Sequence, residues 1–216
     1  MGFTSEQLLD IYQRLDQYFG PLNWWPAENR FEVIVGAVLT QNTNWKNVEK
    51  SIDTLKRANL LSFDALLHMS VEQLANLIRS SGYYNLKARR LKNLLEMIAQ
   101  EYDADLTLFF SQQTSTAREA LLQVKGIGPE TADSILLYAG EHPTFVIDAY
   151  THRILSRHHL VPESCDYQTM YDLFMENLDH DVAMFNQYHA LMVKTAKRFC
   201  KKREPLCDEC PLGVLL

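Results

Sequence analysis

The segment 122–132, which reads LQVKGIGPETA, constrains this chain more than any other part of its sequence. Two glycines flank the apolar Ile127, and a helix is expected to begin directly afterwards. Glycine tolerates positive φ, so the backbone can turn tightly while Ile127 anchors the turn in the core. Such a turn presents N–H groups and the positive end of a helix dipole, which suit a phosphate. Because Asp148 follows Glu130 by eighteen residues, the segment predicts an anion site with an acid nearby, a layout suited to chemistry on a nucleic acid.

Helical periodicity runs through the whole chain and predicts an all-α fold. Apolar residues recur at helical spacing in the segments 8–12, 31–41, 48–55, 86–98, 116–124, 131–139, 150–158, 167–178 and 182–199. Thr4 with Gln7, and Ser70 with Gln73, have the spacing of capping boxes that open helices. The one short run rich in β-branched residues, 144–147, is too isolated to begin a sheet.

Composition narrows the class of protein. The chain has 216 residues, of which 47% are apolar and 22% charged, so it can bury the core of one domain or of two small ones. It has no apolar run of about 18 residues, which excludes a predicted membrane span. Its N terminus lacks the pattern of a secretory signal, and we therefore expect a cytoplasmic protein.

The net charge of −6 argues mildly against a nucleic-acid partner, but the distribution of charge matters more than its sum. Segment 194–203 carries six positive charges and no negative one. A second basic cluster comprises Lys87, Arg89, Arg90 and Lys92. For each cluster, a solvated helix face is the alternative to a DNA contact.

Several segments, in order along the chain, resemble motifs of the helix-hairpin-helix DNA glycosylases of the endonuclease III superfamily. They are 39–43 (LTQNT), 82–88 (GYYNLKA), the hairpin at 122–132, 148–154 (DAYTHRI) and a C-terminal loop with three cysteines. The resemblance implies a base excision repair enzyme that flips a damaged base out of double-stranded DNA and hydrolyses its N-glycosidic bond. We expect such an enzyme to act as a monomer.

The same resemblance implies two helical domains. Residues 22–130 would form a six-helix barrel that includes the turn of the hairpin. Residues 1–21 and 131–216 would form a second helical domain, which ends in the cysteine loop 200–216. The hairpin and Asp148 would line the cleft between these domains, a common place for a ligand.

Asp148 is the candidate catalytic residue. Hydrolysis of an N-glycosidic bond builds positive charge on the sugar, and a fixed carboxylate can stabilise that charge and orient or deprotonate the attacking water. The resemblance assigns both tasks to this position. A plain helix N-cap is the alternative, because Asp caps helices well.

Glu130 discriminates between two kinds of glycosylase. By resemblance, bifunctional relatives carry a lysine here, whose amine attacks the sugar carbon and forms a Schiff base that leads to strand cleavage. A carboxylate cannot form that imine, so Glu130 predicts a monofunctional enzyme that leaves an abasic site. Lys125, just before the hairpin, is interpreted as a phosphate contact or a solvated residue, and is an alternative amine for residual lyase activity.

The residues expected to contact DNA surround the hairpin. Gln41 matches the position of a polar wedge in this family, a side chain that fills the gap left by a flipped base. An ordinary polar residue at a helix C terminus is the alternative. The predicted DNA contacts are Gln41, Lys125, Gly126, Ile127, Gly128 and Thr131.

All three tryptophans are candidates for the base pocket. Trp24 and Trp25 are adjacent, so they cannot both point inward from one helix face, and Trp45 lies shortly after Gln41. Planar rings near a flipping site can sandwich a base, and a cationic alkylated purine gains most from cation–π attraction. The NWWP sequence with this later aromatic resembles the endonuclease III-like 3-methyladenine DNA glycosylases. The alternative is that the rings pack the two domains together.

The cysteine loop departs from the family pattern C-x6-C-x2-C-x5-C, which ligates a [4Fe–4S] cluster. Cys200, Cys207 and Cys210 match three positions, and the fourth falls on Leu216. Three thiolates could hold a cluster with an exogenous or non-cysteine fourth ligand, or the cluster could be lost and leave a basic loop. Zinc is a further possibility, but three sulfurs alone do not complete a structural site. His189, upstream, is interpreted as a packing residue.

Two competing functions stay open at this point. The first is a bifunctional glycosylase with abasic-site lyase activity on oxidised pyrimidines, which Glu130 opposes. The second is a non-catalytic DNA-binding damage sensor that has kept the hairpin, which the presence of Asp148 opposes.

Overall fold

The computed structural model describes residues 5–215, and in this range the chain forms twelve α-helices and no β-strand. The helices are α1 (Ser5–Phe19), α2 (Arg30–Thr40), α3 (Trp45–Arg57), α4 (Phe63–His68), α5 (Val71–Leu77), α6 (Tyr84–Glu101), α7 (Leu106–Phe110), α8 (Thr114–Gln123), α9 (Pro129–Tyr138), α10 (Ala149–Arg157), α11 (Tyr167–Asn177) and α12 (Val182–Arg198). Short 3₁₀ turns occur at Arg79–Ser81, Cys207–Glu209 and Gly213–Leu215. The predicted all-α class is therefore confirmed for residues 5–215.

One of the two predicted capping boxes lies within the described residues. Ser70 and Gln73 form the reciprocal pair of hydrogen bonds that opens α5. Thr4 of the other predicted box lies outside the described residues. Leu216 lies outside them as well. Between residues 5 and 215, no helix is both long enough and apolar enough to cross a membrane.

The chain divides into two compact units. The central unit comprises Ala27–His142, and the terminal unit comprises the residues up to Pro26 together with those from Pro143 onward. The division differs from the predicted one because α9 packs on α2 and α8. Its residues Thr131–Leu137 are all buried there, so the helix that follows the hairpin belongs to the central unit.

Helix α2 forms the centre of the central unit. All residues from Phe31 to Leu39 are buried, and the helix packs on α3, α6 and α9. A helix that is apolar on all sides must be surrounded by other elements. Its buried acid, Glu32, is paired with Lys56 at 2.9 Å and accepts the N–H of Glu28, so its charge is compensated.

Lys87 ties the 82–88 segment to the end of α2. Its buried Nζ donates to the carbonyl oxygens of Leu39 (2.8 Å) and Ser81 (2.6 Å), since the last carbonyls of a helix lack partners within it. Burial, and then the charge of Arg90, lower the pKa of Lys87 to about 8. Lys92 is likewise buried and donates to the carbonyls of Leu66 and Leu67.

The prediction of a second exposed basic cluster is therefore wrong for two of its four members. Lys87 and Lys92 point into the central unit and satisfy main-chain carbonyls. Arg89 is exposed and Arg90 is partly exposed. The error arises because four basic residues spread over a helix of period 3.6 cannot all occupy its solvent face.

The terminal unit packs α1, α11 and α10 with α12 around an aromatic core. The ring of Phe145 stacks on Phe174 at 3.8 Å and meets Phe185 and Tyr188 edge-on. The Tyr188 hydroxyl donates to the carbonyl of Leu8 at 2.8 Å. The segment 144–147 is thus extended chain within an apolar core, which accounts for its β-branched composition without a sheet. It leads directly into the N terminus of α10.

Candidate functional site

Only the first glycine of the hairpin is required by backbone conformation. Gly126 has φ +99°, and a Cβ added there would clash with Cγ of Arg90. Gly128 has φ −99°, which any residue can adopt, and an added Cβ would meet nothing within 4 Å. Gly128 is the N-cap of α9, and it makes no side-chain capping hydrogen bond. The second glycine therefore keeps a helix N terminus open to close approach by an anion.

The turn itself is held from two sides. Ile127 is 5% exposed, and its N–H donates to the carbonyl of Val124 at 3.0 Å, so this side chain lies in the core as the sequence predicts. Lys125 is exposed, while its carbonyl accepts a hydrogen bond from Asn93 Nδ2 at 3.0 Å. The main chain of the hairpin is fixed, and the Lys125 side chain remains available to a phosphate.

A buried ion pair joins the two helices that flank the hairpin. Arg118 on α8 donates through Nε and Nη2 to both oxygens of Asp133 on α9, at 2.7 and 3.0 Å. The Asp133 side chain is fully buried and that of Arg118 is 16% exposed. A bidentate pair of this kind fixes orientation as well as distance. Neither residue was predicted to belong to the site.

Gln41 is bound to the hairpin by its side-chain amide. Its Nε2 donates to the carbonyl of Gly126 (3.2 Å) and to Oγ1 of Thr131 (2.9 Å), and its Oε1 accepts a hydrogen bond from Arg90. Arg90 also covers the face of Gly126 on which a Cβ would clash. Gln41, Arg90 and Thr131 thus form one network around the turn. The structure brings together the predicted Gln41, Gly126 and Thr131, whereas Arg90 was predicted only as part of a basic cluster.

Asp148 is the N-cap of α10, and capping uses one of its two carboxylate oxygens. Oδ1 accepts the N–H groups of Tyr150 (3.0 Å) and Thr151 (2.7 Å), while Oδ2 lies 3.6 Å from Nε2 of His189. Burial by itself raises the pKa of Asp148, but His189 and Thr151 outweigh it, and the pKa lies below its ordinary value. The carboxylate is therefore ionised near neutral pH, and the N-cap and catalytic interpretations are compatible.

His189 contributes more than packing. Its side chain is 6% exposed and approaches Asp148 from α12, the helix that packs on α10. The two residues are separated by forty-one positions in the chain. No local pattern indicates such a pair, and only the packing of the two helices reveals it.

The tryptophans are divided between the two units. Trp24 and Trp25 belong to the terminal unit, and Trp45 is the first residue of α3 in the central unit. The rings of Trp24 and Trp25 meet edge-on, with centroids 6.0 Å apart at 68°, and all three tryptophans are partly exposed. The indole N–H of Trp24 is buried without a hydrogen-bond partner, which leaves a donor that a ligand acceptor could satisfy.

The three C-terminal cysteines line one pocket. The other residues that line this pocket are Arg157, His158, Phe199 and Gly213. Burial, and then the neighbouring Cys200 and Cys207, raise the pKa of the Cys210 thiol, so the three sulfurs are close enough to interact. Arg157 donates to Sγ of Cys200 at 3.2 Å and to the carbonyl of Lys201 at 2.9 Å.

The donor set of this pocket fits an iron–sulfur cluster better than a single ion. Among residues 5–215, no three His, Cys, Asp or Glu side chains stand close enough together to hold one metal ion. A cube of four irons and four sulfides is wider than one ion, so its ligands stand further apart. Nδ1 of His158 is buried and has no hydrogen-bond partner. Burial, and then Arg157 and His159, lower the pKa of His158.

The basic run 194–203 covers the end of α12 and the start of the cysteine loop. Lys194, Lys197 and Arg198 are exposed, and the charged group of each lies over an aromatic ring. The pairs are Lys194 over Phe19 (5.0 Å), Lys197 over Tyr150 (5.8 Å) and Arg198 over Tyr18 (5.5 Å). These rings hold the side chains while the charges remain in water, which suits a phosphate backbone.

Comparison with known proteins identifies relatives over nearly the whole chain. Residues 35–180 match the HhH-GPD superfamily of base excision DNA repair proteins. A candidate DNA repair glycosylase of Methanocaldococcus jannaschii is 46% identical over 96% of this chain and 94% of its own length. An endonuclease III of Sulfolobus acidocaldarius is 29% identical over 85% of this chain and 80% of its own length.

Solved structures of the same fold include complexes with a base and with DNA. The H. pylori 3-methyladenine DNA glycosylase bound to 1,N6-ethenoadenine is 29% identical, with a TM-score of 0.78 over 91% of this chain and 98% of that chain. A non-covalent endonuclease III–DNA complex is 21% identical, with a TM-score of 0.83 over 99% and 95% of the two chains. At that identity, the second likeness shows the fold.

Proposed function

This chain belongs to the HhH-GPD superfamily of base excision DNA repair proteins and is a DNA N-glycosylase, and from that premise we propose that it removes an alkylated purine from double-stranded DNA by hydrolysis, without cutting the strand. The observation that carries the proposal is the state of Asp148. It is an ionised, largely buried carboxylate that has one oxygen not used by its helix cap.

The proposed reaction breaks the bond between the base and C1′ of the sugar. The electron pair of that bond leaves with the base, and positive charge develops on the sugar ring. The Asp148 carboxylate stabilises this charge and orients a water molecule, whose oxygen adds to C1′ while one of its protons passes to the carboxylate. The lowered pKa of Asp148 supports this role, because a protonated carboxyl group would stabilise the developing charge far less.

Glu130 supports release of the base without strand cleavage. It is exposed in the first turn of α9, next to the open helix N terminus at Gly128. Strand cleavage through a Schiff base requires an amine at the sugar carbon, and a carboxylate cannot supply one. Lys125 is the amine closest to the hairpin in the sequence, and its main chain is fixed by Asn93.

Two observations support an alkylated purine as the substrate. Trp24, Trp25 and Trp45 are partly exposed rings, and electron-poor or cationic bases gain most from aromatic stacking. A relative of 29% identity is a 3-methyladenine DNA glycosylase whose structure contains 1,N6-ethenoadenine. The N-glycosidic bond of an alkylated purine is already weakened, so a carboxylate without a strong acid partner suffices.

The proposed partner is double-stranded DNA that carries a single damaged base. We propose that one copy of the chain binds it, in the cytoplasm. The open N terminus of α9 and exposed Lys125 would contact the strand that holds the lesion. The basic run 194–203 would contact its phosphates without reading sequence. A [4Fe–4S] cluster, when bound by Cys200, Cys207 and Cys210, would cross-link the loop that carries part of this run.

The experiment that tests the substrate is release of bases from duplexes that each carry one defined lesion. We expect release from duplexes with 3-methyladenine or 1,N6-ethenoadenine and little release of thymine glycol. Trp25→Ala and Trp45→Ala should reduce this release more than they reduce binding to an abasic-site duplex, and Trp→Phe variants should restore part of it. Release of thymine glycol with no activity on methylated DNA would refute the proposed substrate.

The experiment that tests the absence of lyase chemistry is borohydride trapping on an abasic-site duplex. Because Glu130 forms no imine, we expect no covalent complex, and strands should break only after treatment with alkali. Glu130→Lys serves as the positive comparison, since it places an amine at this position. Efficient trapping by the natural chain would favour the bifunctional alternative, and loss of trapping in Lys125→Gln would identify the amine. A chain that binds lesions but releases no base would favour the damage sensor.

A further inference from the structure

The pocket behind the cysteine loop contains a fourth nitrogen or sulfur donor that the spacing of the cysteines does not reveal. Cys200 follows the end of α12, and Cys207 and Cys210 lie in the loop after it. His158 comes from another element, at the C-cap of α10, and lines the same pocket as the three thiols. The sequence places His158 more than forty residues before the first of these cysteines.

The imidazole of His158 has a buried nitrogen that no protein group satisfies. Nδ1 has no hydrogen-bond partner, and a buried polar atom without a partner costs about 1–3 kcal/mol. Such an atom requires an explanation, and a bound ion or cofactor supplies one. Because His158 lines the same pocket as the three thiols, a role as a metal ligand explains this nitrogen.

The surroundings of the pocket also suit a cluster with one histidine ligand. Histidine replaces cysteine as a ligand in some iron–sulfur proteins, and imidazole is a good ligand for iron. Arg157, next to His158, donates to the Cys200 sulfur, an interaction that stabilises a thiolate. The position that would supply a fourth cysteine by spacing is Leu216, whose side chain has no donor atom.

We propose that His158 is the fourth protein ligand of a [4Fe–4S] cluster held by Cys200, Cys207 and Cys210. Each thiolate binds one iron through Sγ, and His158 binds the remaining iron through Nδ1 as a neutral imidazole. The cluster then needs no exogenous ligand. This inference is independent of the base that the enzyme releases, so it stands or falls separately from the proposed substrate.

The first experiment measures iron and nitrogen directly. Protein purified without oxygen, or reconstituted with iron and sulfide, should contain about four irons and four sulfides per chain. In protein labelled with 15N-histidine, the reduced cluster should show a 15N hyperfine coupling in its electron spin resonance spectrum. A colourless protein that takes up no iron on reconstitution, or a cluster without nitrogen coupling, would overturn the proposal, as would stoichiometric zinc in place of iron.

Variants at neighbouring positions supply the controls. His158→Asn should lose the nitrogen coupling and bleach faster in air, whereas the matched change His159→Asn, at an exposed neighbour, should alter neither. His158→Cys should keep the cluster without the nitrogen coupling and should lower its reduction potential, because histidine ligands raise that potential. The result is readable even if His158→Asn folds poorly, since His158→Cys retains a ligand. A nitrogen coupling that persists in His158→Cys would show that another residue is the ligand.

Discussion

The two ends of helix α10 show two different ways of holding a polar group inside the terminal unit. At its N terminus, Asp148 accepts two N–H groups from its own helix and lies 3.6 Å from His189 on α12. At its C terminus, His158 lines one pocket with three thiols from the segment after α12, and its Nδ1 has no hydrogen-bond partner. The carboxylate at the first end therefore has its partners within the protein, whereas the ring nitrogen at the second end lacks one.

This difference matches the different requirements of a catalytic group and of a cofactor ligand. A catalytic carboxylate has to be held ionised before the substrate arrives, since preorganised charge is what lowers the barrier. A cofactor ligand has to keep a donor atom unsatisfied until the cofactor arrives. Asp148 meets the first condition and His158 meets the second, within one helix of nine residues.

The largest effect is expected at the N-terminal end of α10. Asp148→Asn should reduce the single-turnover rate of base release about 100- to 1000-fold, because it removes the charge that stabilises the sugar cation. The free energy of unfolding should change little, since Asn caps a helix about as well as Asp.

The matched control for this variant is Asp166→Asn. Asp166 caps α11 in the same way, through the N–H of Thr169 at 2.8 Å, but has no proposed part in the reaction. Equal losses of activity in both variants would mean that Asp148 acts only as a cap, and the comparison between the two ends of α10 would then fail.

Smaller effects on stability and DNA binding are expected in the hairpin, where the two glycines also differ in their surroundings. Arg90 covers Gly126, whereas nothing lies within 4 Å of a Cβ added at Gly128. Gly126→Ala should destabilise the fold by about 1–3 kcal/mol, because a non-glycine residue is strained at φ +99° and its Cβ would meet Arg90. Gly128→Ala should leave thermal unfolding nearly unchanged and weaken binding to an abasic-site duplex. If Gly128→Ala binds normally, the open helix end is not the phosphate site.

Next in size is the contribution of the basic loop to DNA binding. Lys201→Gln combined with Lys202→Gln should reduce the slope of log affinity against log salt by about 0.9 for each phosphate contact that is lost. The control removes two exposed charges elsewhere, Lys50→Gln and Arg57→Gln on α3. Identical slopes for the two double variants would indicate that net charge, rather than this loop, governs binding.

The smallest effect is expected from His189→Gln, and it concerns pH. In the proposed mechanism activity requires the ionised Asp148 carboxylate, so we expect activity to be lost as the pH falls through the pKa of that group. His189 lowers this pKa, so its removal should raise the pKa and move the acid limb of the rate profile to higher pH. Ionised Asp148 contributes stability above its unfolded-state pKa, and this stability is lost as the pH falls through the lower folded-state pKa. In His189→Gln the folded-state pKa is higher, so the contribution should be smaller and its loss on acidification should begin at a higher pH.

The exposed His180→Gln is the comparison for this variant, and its acid limb should not move. An unchanged acid limb in His189→Gln would show that the helix cap alone keeps Asp148 ionised. The ionisation of Asp148 would then depend only on the N–H groups of its own helix, whereas the cofactor ligand proposed at the other end of α10 depends on residues of a distant segment.

The sequence predicts those parts of the site that depend on local structure. Asp148 precedes the N–H groups that it caps by two and three residues, and Ile127 lies between the two glycines of its own turn, so short-range patterns are sufficient. The same local logic is wrong for Lys87 and Lys92, because the side that a helix buries depends on its neighbours. The boundary at residue 130, which the family resemblance implies, falls in the first turn of α9, whereas that helix packs on α2 within the central unit.

The sequence by itself therefore determined the all-α class, the hairpin with its helix N terminus and the acid that follows it, since periodicity and capping act over a few residues. Only the tertiary structure decided that Gln41 and Arg90 hold the hairpin, that His189 contacts Asp148, and that His158 joins the three cysteines. These partners are separated by more than thirty residues in the chain. They meet because buried helix faces pack together, and no short motif encodes which faces those are.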